Sequence, residues 1–145
     1  MLKTRTLALS CALLLFTAPA TQAQDANPTT IYDEIMLNLA GNMQDILFGI
    51  LVEDYAKVSN LAEAIAFHPE PDVEKKMALL KQLRVDAASF KLYQDRVRQN
   101  ALKLQKAADR VDREEVLERF SALATSCTEC HVSYRERVRE LTRQR

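Results

Sequence analysis

The segment Cys127-Thr128-Glu129-Cys130-His131 lies on the apolar stripe of a helical pattern that runs unbroken from Asp112 to about Thr142. Two thiols three positions apart share one face of a helix. From there they can add to the two vinyl groups of a haem, while the following residue turns its imidazole under the iron. The spacing is that of c-type haem attachment, with His131 as proximal ligand. Because the cysteines fall on the core side of their helix, the rest of the chain has to fold around a large flat macrocycle set against or within its core.

Other uses of the same residues fit less well. A redox Cys-x-x-Cys pair belongs near a helix start after a strand, and this one is deep inside a helix. Structural zinc generally takes four Cys or His ligands, and beyond Cys127, Cys130 and His131 only His68 remains outside the N-terminal leader. A disulfide within one helical turn would close a small strained loop.

The N-terminus agrees with export. Lys3 and Arg5 precede an apolar run, Leu7–Phe16, and small residues follow through Ala18-Pro19-Ala20 and Thr21-Gln22-Ala23. This is the pattern of a secretory signal, too short to serve as a membrane span. Cleavage is expected after Ala23, with Ala20 as the second choice, and Cys11 leaves with the leader. Residues 1–23 are therefore read as a signal peptide and 24–145 as one domain, in the periplasm, where a bacterial c-type protein receives its haem. Loss of Lys3 and Arg5 leaves the mature chain about two units negative. It carries no basic stripe for nucleic acid and no further apolar run of membrane-spanning length.

The mature chain reads as all helix. Both glycines lie between residues 41 and 49, Trp is absent and no alternating strand pattern occurs. The first helix spans 29–51, opened by Asn27, Pro28 and Thr29, with Met36, Leu39, Ala40, Met43, Leu47 and Ile50 as its stripe. Asp54 caps a second helix through Phe67, and His68-Pro69-Glu70-Pro71 breaks the chain. A short segment follows from Asp72 to Leu83. A long helix runs from Asp86 to Asp109, and the last from Asp112, with Val116, Phe120, Leu123, Cys127, Cys130, Tyr134, Val138 and Leu141 in line. Short connections between long amphipathic helices predict an antiparallel four-helix bundle, up-down-up-down, with the haem on the C-terminal helix. Alanines at 62, 64, 66, 107 and 108 suit a dimer face, or are present simply as good helix formers.

The first helix is expected to flank the haem. Gly41 and Gly49 each cost about 1 kcal/mol in a helix interior; approach of a flat macrocycle to the backbone would offset this at Gly41, and less so at Gly49, with close helix packing as the alternative. Met36 and Met43, seven apart, share a face. Such a pair is commonly core filler, but here a haem has to lie near that face.

Cys127-x-x-Cys130-His131-x-x-Tyr134-Arg135 on the terminal helix of a four-helix chain with a leader resembles the cytochrome c-prime superfamily. Leu51-Val52-Glu53-Asp54-Tyr55, Ala64-Ile65-Ala66-Phe67-His68-Pro69 and Asp95 are similar to a group of small c-prime-like cytochromes. The resemblance implies one haem c per chain, often a homodimer, and an iron either five-coordinate or completed by a methionine of the first helix. By position it implies thioethers at Cys127 and Cys130, His131 as proximal ligand, Arg135 near the proximal face and Tyr134 packed beside the porphyrin.

The sixth ligand decides between functions. His131 lies about 19 residues into its helix, so its partner should stand roughly 12–17 residues before the end of the first helix. That count favours Met36; Met43 lies about 10 Å further along the axis. If neither binds, Leu37 or Leu39 would cap an open iron. Methionine ligation predicts a single-electron carrier for periplasmic redox partners; an apolar open side predicts a protein that binds NO or CO. No distal acid pair, His or Arg suggests an enzyme.

Overall fold

The computed structural model describes residues 30–143. The leader, Cys11, the expected cleavage sites, Asn27, Pro28, Thr29 and Arg145 lie outside the described residues. Within them the chain forms α1 (Ile31–Leu51), α2 (Tyr55–Ala66), α3 (Val73–Leu83), a 3-10 turn (Arg84–Asp86), α4 (Ala87–Asp109) and α5 (Arg113–Arg143). α1, α2, α4 and α5 make the four-helix bundle, and α3 lies in the connection from α2 to α4. Among the described residues no helix is long and apolar enough to cross a membrane.

Four of the five α-helices start at a side-chain cap; α4, which follows the 3-10 turn directly, does not. Thr30 and Asp33 form a reciprocal capping box, with Asp33 N–H donating to Thr30 Oγ1 at 3.2 Å and Thr30 N–H to Asp33 Oδ2 at 3.0 Å. The first helix thus begins at Ile31, two residues later than its Pro28-Thr29 signal suggests. Asp54, Asp72 and Asp112 accept from the N–H groups of Lys57 (3.0 Å), Lys75 (2.9 Å) and Glu115 (3.1 Å).

The α1–α2 and α4–α5 turns repeat one device at the same end of the bundle. Asp54 N–H returns to Gly49 O at 2.8 Å and Glu53 N–H to Ile50 O at 3.2 Å; Asp112 N–H returns to Ala107 O at 3.2 Å and Val111 N–H to Ala108 O at 2.9 Å. These are paired C-terminal motifs whose left-handed residue is usually glycine. Here Glu53 and Val111 occupy it, at φ 58° and 54°. A β-branched side chain is strained there, and Val111 is 55% exposed, so it recovers little by burial. Val111→Gly is expected to raise stability by about 1 kcal/mol and the melting temperature by about 4 °C. Thermal denaturation of the haem-loaded protein measures this; no rise would mean that the Val111 side chain is held by contacts that offset the strain.

α2 and α4 pack closely because small residues line their contact. Ala62, Ala101 and Ala107 are fully buried, and Ala66 and Ala108 nearly so. Four of the five alanines that suited a dimer face are thereby used inside the fold, and only Ala64 remains exposed. Gly49 is likewise explained by packing: a Cβ there would lie 2.9 Å from Val58 Cγ2 and 3.3 Å from Asp54 O. It permits α1 to approach α2, and haem proximity is not its reason.

This approach rotates α1. Ile46, Gly49 and Ile50 are buried, whereas Leu47 and Met36, both expected on the core stripe, are 45% and 42% exposed, and Ala40 is also exposed. Lys57 bridges to Asp45 at 3.6 Å and lies over the Phe48 ring, holding α1 towards α2. The sequence period is right, but its phase is shifted by about one residue, and the Met36–Leu47 edge is left turned to the side where α5 lies.

Candidate haem site

Cys127 and Cys130 are free thiols, each half-buried. They stand where the core divides. Cys127 packs against a main cluster that includes Ile46, Ile65, Leu104 and Leu123. Cys130 packs against a second cluster built on Leu79, Leu83, Phe90 and Tyr134. Burial pushes both thiols above their ordinary acidity range, and Cys127 is raised further by its neighbour Cys130. Both are therefore neutral S–H groups at neutral pH.

His131 faces α1. Arg113 and His131 lie about five full turns apart on α5 and so fall on one line along it. Arg113 donates to Glu53, at the C-terminal end of α1, at 2.7 Å. Burial, then the positive charge of Arg135, pulls His131 below the usual imidazole range. The ring is neutral at neutral pH, as a metal ligand must be. Arg135 itself, one turn on, is exposed and makes no ion pair among the described residues. Its charge would suit the carboxylates of a haem.

Across from this line α1 and α5 barely touch, in contrast to the close packing of α4 on α5 and of α2 on α4. The α1 side of the resulting seam carries Tyr32, Met36, Leu39, Met43 and Leu47, which recur at helical spacing. Tyr32 packs on the second cluster together with Val138 and Leu141 of α5, which shows that this line faces α5. Leu39 and Met43 are half-buried against the main cluster.

Two ties set the level of His131. Counting equal rises back from the Glu53–Arg113 pair reaches α1 near Ile35. At the other end, Asp33 is held below the usual carboxylate range first by the Thr30 hydrogen bonds, then by the more distant charges of Arg143 and Arg139; with no ion pair between them, a count from that end of α5 is looser and reaches about Gly41 to Asp45. Met36, Leu39 and Met43 all lie within or at the edge of this bracket. Gly41, expected in the haem environment, does not share their face. It is two positions from Met43, hence on the opposite side of the helix, exposed, and with nothing within 4 Å of where a Cβ would be.

Tyr134 is 8% exposed and held edge-on between Phe90 (5.3 Å) and Tyr93 (5.6 Å), so it ties the motif's helix to α4. Glu129, inside the motif, accepts from Arg96 of α4 at 2.7 Å. That pair could not be found by reading the sequence, since charges so far apart in the chain carry no common signal. His68 stays in the α2–α3 connection, where its Nδ1 meets Pro69 O at 3.0 Å. Among the described residues no three His, Cys, Asp or Glu side chains converge as a bare ion would need.

The arrangement fits a covalent haem. Two neutral thiols sit at a break in the core, an exposed imidazole follows them on the α1 side of the helix, and one turn on lies a cation with no ion pair among the described residues. Compared with known proteins, the model of the cytochrome C′ family matches residues 34–135, a span that includes Met36, Met43 and the whole segment from Cys127 to Arg135. Comparison with curated proteins and with solved structures found no match.

Proposed function

The chain belongs to the cytochrome c′ family, and from that premise we propose that it is a periplasmic single-electron carrier whose haem lies in the α1–α5 seam with His131 and Met36 as axial ligands. Family membership makes it a haem c cytochrome. The assignment of ligands and role is supported chiefly by one observation: Met36 and Met43 lie on one line of α1, within the stretch that equal helix rises set level with His131.

Cys127 and Cys130 supply the thiols, whose S–H bonds add across two vinyl groups to leave thioethers. His131 supplies a neutral imidazole from the α1-facing edge. Met36 is the preferred partner because it is 42% exposed and is not among the side chains packed against either core cluster. Met43 is already packed on the main cluster. Held by His131 and Met36, a haem would supply one-electron chemistry at a raised potential. Leu39 and the second cluster exclude water from the neighbourhood, and Arg135 balances carboxylate charge. The partners are proposed to be periplasmic redox proteins. The leader, with Lys3 and Arg5 before Leu7–Phe16, supports export.

Leu39 favours a second reading, since it lies between the two methionines on the same line and within the same bracket. If it faces the iron, the open position would take NO or CO. Optical spectra of the mature haem-loaded protein, ferric and ferrous, with and without CO, separate the two. The electron-carrier reading predicts a low-spin ferrous spectrum that CO leaves unchanged. A high-spin spectrum that shifts promptly with CO would replace it with gas binding.

A further inference from the structure

α2 is too short to cover the bundle. Its 12 residues span about 18 Å, against about 34 Å for the 23 residues of α4. Over the remaining length Phe90, Tyr93, Cys130 and Tyr134 are covered instead by α3, through Leu79, Leu80 and Leu83. α3 is weakly tied to what it covers. Its own ion pairs, Lys75 with Asp72 and Lys76 with Glu70, are local to the segment. Its outward side leaves Val73 77% and Met77 48% exposed. The connection before it carries Pro69 and Pro71.

The junction after α3 differs from the other two tight turns. Arg84 has φ 52° and ψ −120°, which is outside even the left-handed helical region and is strained for any residue but glycine. Among the described residues one polar side chain from the bundle ties this junction, beside the buried Leu83: Arg137 of α5 bonds Asp86 and donates to Leu83 O at 3.4 Å. A strained pivot, a local set of ion pairs and a single cross-tie together describe a separable element.

We propose that α3 is a hinged cover over the Cys130 side of the haem site, pivoting at Arg84 and latched by Arg137, and that it opens as a unit while the four-helix bundle stays folded. The cover is apolar on its inner side, so closing it keeps water from the second cluster. Opening exposes the motif from the face opposite the α1–α5 seam. The inference rests on geometry and is independent of which side chain completes the iron.

Hydrogen exchange on the haem-loaded full mature protein tests it. α3 amides are expected to exchange through an opening more frequent than the global unfolding that governs the slowest amides of α4 and α5. Arg137→Gln should lower protection in α3 by about threefold to fivefold, the effect of losing an exposed ion pair, and leave α2, α4 and α5 unchanged. Arg84→Gly, which relieves strain in the closed state, should raise α3 protection on the order of tenfold and again leave the rest unchanged. Either variant shifting all helices by the same factor, or α3 exchanging as slowly as α4 and α5 in the parent, would overturn the proposal and make α3 a fixed part of the bundle.

Discussion

Replacing Cys127 and Cys130 together with serine is expected to abolish covalent haem, leaving a chain from which acid and organic solvent extract all pigment. Each single variant should keep one thioether and an altered spectrum, because the second thiol is still presented on the same helical face. The effect is expected to be all-or-none because haem c attachment requires a sulfur–carbon bond, and the described residues contain no other cysteine. Stability should fall with the haem. The two core clusters meet at the cysteine pair, and the α1–α5 seam has few contacts of its own. The haem-free double variant should therefore melt well below the loaded protein, with exchange protection lost first in α1. Retention of unextractable haem in the double variant would show attachment elsewhere in the chain.

Met36→Ala carries the second large effect. Axial ligation sets haem potentials over about 0.8 V, and loss of a thioether ligand should lower the potential by a sizeable part of that range. The same variant should turn the iron high-spin and open it to CO. Met43→Ala serves as the contrast. It removes a half-buried side chain from the main cluster, so it is expected to cost about 1–2 kcal/mol while leaving spin state and potential nearly unchanged. If instead Met43→Ala opens the iron and Met36→Ala does not, the ligand lies one step further along α1. If neither does, Leu39 lines an open site and the protein binds gas.

What sequence periodicity revealed, and where it stopped, can be followed along α1. The spacing of Met36, Leu39, Met43 and Ile50 located a helix with an apolar side, but the buried centre is at Ile46, with Leu47 and Met36 at the edge. Periodicity fixes which residues share a face. It does not fix how far that face is rotated, which here depends on Gly49 allowing Val58 close to the α1 backbone. The same limit applies to Gly41, whose composition cue is real but whose side of the helix is wrong for the seam. The cap at Asp54, and the helix starts near Asp72 and Asp112 that also prove to be caps, were readable because a cap is a local hydrogen bond. The Arg96–Glu129 and Arg113–Glu53 pairs, which orient the motif's helix against its two neighbours, join residues far apart in the chain and become visible only once the helices are packed. The haem motif could be recognised from the sequence because Cys127, Cys130 and His131 lie within five residues of one helix and need no distant partner.

The most direct test is mass spectrometry of the mature protein made alongside haem-attachment machinery, first intact and then as the peptide containing Cys127 to His131. One haem per chain, carried on that peptide with neither Cys127 nor Cys130 open to alkylation, is the predicted result. An intact mass without haem, or two alkylated cysteines in that peptide, would contradict the account at its foundation.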